Sequence, residues 1–248
     1  MTKFFCTLLL LVIGSASWAQ KLDPVYGQPI IVLIETDPWL MVIGSDTPSF
    51  ALYENGQIIY QRRSGQRVEY VQVQHDRAQT QAFIKTLGIT DSLMQGRGAF
   101  VASNATDQPT NILLLNFEKT KQVQVYGALH MPKDEARAQA PKDFLTVYDR
   151  LVHYDDPAAK PWLPDSVEVL ATAYSHSPEK PVKWNAAWHD LKSPSTVKRS
   201  EELYSIYLPK SQLEGFLKLS RQLKEKQAVE INGAKYSLSY RLPFPNLR

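Results

Sequence analysis

Two Asn-Gly dipeptides restrict the folds open to this chain more than any other feature of its sequence. Asn55-Gly56 separates residues 49–53 from 57–62, and Asn232-Gly233 separates 228–231 from 234–242. Asn-Gly readily supplies the two positive φ angles of a type I′ turn, whose twist matches the flanking strands, so each dipeptide predicts a β-hairpin. In the second return strand Tyr236, Leu238, Tyr240 and Leu242 alternate with Lys235, Ser237, Ser239 and Arg241. A period of two puts the first set on a buried face and the second in water.

Composition adds further strands at 30–34, 39–43, 68–73, 167–171 and 203–208. Residues 112–115 are apolar at every position and predict a central strand, while Val123 and Val125 alternate with glutamines and predict a half-exposed neighbour. Three helices are expected. The first spans 77–87, with Asp76 as N-cap, Gln79 completing a capping box and Gly88 as the stop. The second spans 141–154, led by Pro141, with Phe144, Leu145, Tyr148, Leu151 and Val152 on its apolar side. The third starts at Ser211, with Glu214 as the capping-box partner. Single helices between groups of strands argue for an α+β fold with a largely antiparallel sheet and about three helices. A Pro-containing linker at 157–165 would divide an N-terminal region, 20–156, from a C-terminal one, 166–248, as one large unit or two subdomains.

The N-terminus reads as an export signal. Lys3 is followed by an apolar run over 4–13, then small residues, with Ser17 and Ala19 at the two small positions before a cut at Gln20. The run is shorter than the roughly 20 apolar residues that cross a bilayer. A signal peptide at 1–19 would direct the rest to the periplasm or the exterior, and would remove Cys6, the single cysteine. Without it neither thiolate catalysis nor a thiolate zinc site is open to the mature chain. No later segment is apolar enough to span a membrane. The formal charge of +3, of which Lys3 supplies one, is close to balance, so nucleic acid is not an expected partner.

No local motif assembles a catalytic set, a cofactor site or a metal site. Asp149 and His153 share a helix face at i and i+4, but Thr146 and Arg150 extend that face as an ordinary solvated one. His75-Asp76 is accounted for by the helix cap, and His189-Asp190 are neighbours whose side chains diverge. Ser-x-x-Lys occurs at Ser177 and Ser195, in an irregular stretch with no helix to set its geometry. The polar loop 100–111 makes Asp107 a candidate base or ligand group, against a plain turn before Pro109. Trp162, Trp184 and Trp188 fall in or beside irregular segments. Each could offer a rigid apolar face to a partner or pin a loop to the core. The expected function is a non-catalytic binding or interaction protein of the cell envelope or exterior, with a protein or glycan partner. The competing expectation is a metal-independent hydrolase of envelope material, built from distant residues such as Asp107 with His130, His153 or His189.

Overall fold

The computed structural model of the protein describes residues 23–36, 47–64 and 67–247. The expected signal peptide and the expected strand at 39–43 lie outside the described residues.

The fold is α+β, built on two sheets. Among the described residues the first has eight strands: β1 (Pro29–Glu35), β2 (Pro48–Tyr53), β3 (Gln57–Ser64), β4 (Arg67–Gln74), β5 (Ala99–Val101), β6 (Thr110–Asn116), β7 (Thr120–Tyr126) and β8 (Lys160–Pro161). Their spatial order is β5-β7-β6-β1-β2-β3-β4-β8, and every pairing except β5 with β7 is antiparallel. The second sheet comprises β9 (Ser166–Ala173), β10 (Val182–Lys183), β11 (Val197–Lys198), β12 (Leu203–Pro209), β13 (Val229–Ile231) and β14 (Ala234–Arg241). Its order is β10-β13-β14-β9-β12-β11. Three helices are ten or more residues long: α1 (Arg77–Leu87), α4 (Lys142–Val152) and α5 (Leu213–Gln222). Two short ones, α2 (Asp91–Gln95) and α3 (Glu135–Gln139), were not expected.

Helices cover one face of each sheet. Phe144, Val147, Tyr148 and Leu151 of α4 pack with Leu87 on alternate residues of β1, β2 and β6, such as Leu33, Phe50 and Leu113. Burying side chains of this size contributes about 1.5–3 kcal/mol each. The intervening residues Val32, Ala51, Tyr53 and Ile59 face the other way and are also buried, under Trp162 and Phe244. This second cover explains why β1 is apolar at consecutive positions rather than alternate ones.

The two Asn-Gly hairpins use different turns. Asn232 (φ 49) and Gly233 (φ 85) both take positive φ, and Ile231 pairs with Ala234, a type I′ turn as expected. At the first hairpin the Gly56 N–H donates to the Tyr53 carbonyl (2.9 Å), and only Gly56 (φ 83), not Asn55, has positive φ. That is a type I turn followed by a left-handed glycine, the three-residue hairpin connection. The Asn55 side chain is held on both sides, donating to the Val25 carbonyl and accepting from the Gln57 N–H. A Cβ on Gly56 would lie 2.2 Å from the His75 carbonyl, so no side chain fits there.

The first helix is capped as its sequence predicts: Asp76 accepts from Gln79 N–H, Gln79 reaches back to Asp76 N–H, and Gly88 closes the helix at φ 68. The third expected cap does not form. The chain leaves β12 through a 3-10 turn at Lys210–Gln212, and α5 begins at Leu213 with no side-chain cap bond. Ser211 thus lies inside the 3-10 turn, one residue before the N-cap position at Gln212.

Candidate functional site

The histidines and carboxylates singled out above have ordinary partners in several cases. Asp107 sits at φ 57, the left-handed conformation Asp tolerates in turns, within a loop ordered by Tyr126, whose hydroxyl donates to the Ala105 carbonyl and accepts from Gln108 N–H. His189 Nδ1 lies 2.7 Å from the Tyr207 carbonyl and 3.1 Å from Ser195 Oγ. A carbonyl only accepts, so Nδ1 carries the proton and points it at Tyr207. That nitrogen cannot serve Ser195 as a base. Asp149 pairs with Arg137 at 2.7 Å, while His153 Nδ1 bonds the Asp149 backbone carbonyl at 2.8 Å, so the two side chains do not form the i, i+4 pair.

Trp162, Trp184 and Trp188 face inward. Trp162 is 3 % exposed, its ring 5.0 Å from Phe244. Trp184 is buried, donates from Nε1 to the His189 carbonyl (2.9 Å), and meets Trp188 edge-on at 5.1 Å. Trp188 lies so close to α5 that a Cβ on Gly215 would be 2.9 Å from its ring. These two indoles fasten the long 182–200 connection to the second core.

Two of the concavities among the described residues gather groups of functional interest. One is a cleft of about 330 Å³ between the end of β3 (Gln61, Arg62, Arg63), the end of α4 with its exit (Val152 to Asp155), and His130. Its frame is the Tyr60 hydroxyl, which donates to Asp155 Oδ1 (3.0 Å) and accepts from Arg62 (3.1 Å) and from Asp156 N–H (3.0 Å). The Arg62 hydrogen bond holds the Asp155 carboxyl below its ordinary range, and the same bond raises Arg62. Behind His130 lies Glu35, its Oε1 3.8 Å from His130 Nδ1 and bonded by the Tyr148 hydroxyl at 2.6 Å. Burial first, and Glu35 second, push the Tyr148 hydroxyl far above its usual range, so it stays a donor. The structure thus brings His130 and His153 to one cleft, while Asp107 and His189 line other parts of the surface. Among the described residues no serine, threonine or cysteine lines this cleft.

The second feature is a groove of about 450 Å³ where the two sheets meet. Val68 and Tyr70 of β4 form one wall, and Leu213 and Leu217 of α5 with Tyr240 of β14 form the other. Trp162 and Leu163 lie between them. Three of the seven exposed large apolar side chains among the described residues, Val68 (53 %), Leu163 (40 %) and Tyr240 (44 %), converge here. Alternation placed Tyr240 on a buried face. It does lie on the helix-covered face, 5.5 Å from Phe216, but at the open end of that cover. Burial pushes the Tyr70 hydroxyl up to about 12. Its oxygen accepts from Gln61 at 2.7 Å, which fixes the ring edge that borders the groove. The groove was not legible beforehand because its walls are 100 and more residues apart. Only Leu163, set between Pro161 and Pro164 beside a tryptophan, carried a local hint.

Among the described residues no group of three or more His, Cys, Asp or Glu side chains could hold a metal ion, and no helix is long and apolar enough to cross a membrane. Comparison with models of known protein families, with functionally described proteins and with solved structures finds no match for this chain.

Proposed function

We propose that this is an exported, non-catalytic binding protein of the cell envelope or exterior, and that its partner is a protein segment bearing apolar side chains, seated in the groove between the two sheets. The observation that carries this reading is the convergence of Val68, Leu163 and Tyr240 on one concavity of ligand-binding size. Scattered exposed hydrophobics need no explanation, whereas a cluster in a concavity marks interaction surface. Leucine, valine, proline and aromatic rings make up most of the lining, beside Thr47, Glu69 and Arg241, and that apolar majority favours a peptide with apolar side chains over a sugar.

The test is a peptide-display selection and a glycan array, each run against the wild-type protein and Leu163→Asp. Leu163 is exposed at the groove, so the substitution leaves the core intact. Peptides with apolar anchors should enrich on the wild type, and L163D should weaken them by tenfold or more, the cost of setting a charge against about 1.4 kcal/mol or more of apolar contact. Enrichment of glycans alone, or peptides indifferent to L163D, would count against this reading.

A specific observation favours a second reading, the metal-independent hydrolase: His130 and His153 open on one cleft. Two imidazoles could divide the base and acid roles of a hydrolysis with water as the nucleophile. Loss of a hydrolytic activity in both His130→Gln and His153→Gln would move the assignment to that cleft.

A further inference from the structure

The cleft between β3 and the end of α4 is separate from the groove and differs from it in chemistry. We infer that it is a second binding site, for an oxyanion of the phosphate type. Arg62 supports this most directly. Its Nε donates to Asp155 Oδ1 (2.8 Å), with Nη2 2.7 Å from the same oxygen, and Nη2 donates to the Tyr60 hydroxyl and to the Asp156 carbonyl (2.8 Å). Those bonds fix the guanidinium plane and leave Nη1 without a partner among the described residues. A guanidinium already ordered in this way spends little further entropy on a ligand. Arg63, next in sequence, lines the same cleft, is exposed and forms no ion pair among the described residues.

The remaining lining completes an oxyanion's needs. The proton on His153 Nδ1 is committed to the Asp149 carbonyl, so its Nε2 is a free acceptor for the P–OH of a protonated phosphate. His130 stands across from it, backed by Glu35. Two guanidiniums against the single carboxylate of Asp155 leave the lining with positive formal charge. Of the other nearby carboxylates, Glu35 is engaged with Tyr148, Asp149 with Arg137, and Asp156 with His75 and the Ala158 N–H, while the exposed Glu69 sits opposite Arg62 across the β3–β4 pair. The cleft is large enough for a tetrahedral anion and a small organic group attached to it.

The test is a titration of the whole protein with inorganic phosphate at constant ionic strength, read by the imidazole NMR signals. His130 and His153 should shift saturably, with His75, His176 and His189 as internal controls. Arg63→Gln, an exposed change that spares the Tyr60 frame, should weaken the response about tenfold or more, as loss of one charged hydrogen bond does. Sedimentation with phosphatidylglycerol vesicles identifies the source. Pelleting that depends on Arg63 assigns a lipid headgroup, and its absence beside intact phosphate shifts assigns a soluble phosphate ester. Absence of any saturable shift, equal shifts at all five histidines, or a response unchanged in R63Q would overturn the inference.

Discussion

Replacing Glu168 by Gln should destabilise the protein by about 3–5 kcal/mol at neutral pH, the usual cost of removing one partner from a buried ion pair. Glu168 lies on the second sheet's face opposite α5 and is 1 % exposed. Its Oε1 accepts from Ser205 (2.5 Å) and Arg199 (3.1 Å), and its Oε2 from Arg241. The glutamine removes the buried carboxylate charge that Arg199 and Arg241 bond, so denaturant melts should show a lower midpoint with an unchanged slope. Thermal midpoints should fall on the order of 10 °C for a chain of this size. The effect should depend on pH with a definite sign. Burial alone would raise the Glu168 carboxyl, but Ser205, Arg241 and Arg199 together bring it below its ordinary range. A depressed folded-state value means that the stabilisation is complete above the unfolded carboxylate value, about 4.3. It is then lost as pH falls through the folded value. The difference between wild type and E168Q should therefore shrink in acid, and a difference that stays constant down to acid unfolding would contradict this account.

The second large effect is expected at Phe244. After β14 the chain turns back across the first sheet, where Phe244 (4 % exposed) lies against Trp162 at 5.0 Å and Tyr70 at 5.3 Å. Polar bonds reinforce the return. The Tyr53 hydroxyl donates to the Pro245 carbonyl, and the Asn246 amide bonds Asp23 N–H and the Gly27 carbonyl. Phe244→Ala should cost about 3–5 kcal/mol. It should also shift tryptophan emission to the red, because Trp162 loses its cover. If stability falls by less than about 1 kcal/mol, below the ordinary cost of such a truncation, the returning segment is not the clasp described here.

The parts of the fold that could be read from sequence are those whose determinants are local. The capping box of α1 closes within four residues, and Asn232-Gly233 carries its turn type in its own backbone preferences. Where a distant partner intervenes, the local signal fails. Asn55 is held by Val25, and Gly56 packs under the His75 carbonyl, so the first Asn-Gly turn takes another form. Ser211-x-x-Glu214 has the letters of a cap, but the chain arrives from Pro209 through a 3-10 turn, and the helix starts later. Period two gave the correct face for Tyr240 but could not show how far the covering helix reaches.

The candidate sites were less legible for the same reason. A tryptophan that closes a core and one that meets a partner share one apolar body, and only packing separates them. His130 and His153 meet through the return of the 127–134 loop toward the end of α4, which no spacing in the sequence encodes.

The proposed partner docks in the groove, and not on exposed apolar side chains in general. The direct measurement is site-specific photocrosslinking in cells that express the chain naturally, with p-benzoylphenylalanine placed at Leu163 in the groove or at Val101 outside it. Val101 is the more exposed of the two, at 74 % against 40 %. A discrete adduct is expected from position 163 and none from position 101. Equal adducts from both, or an adduct from position 101 alone, would contradict docking in the groove.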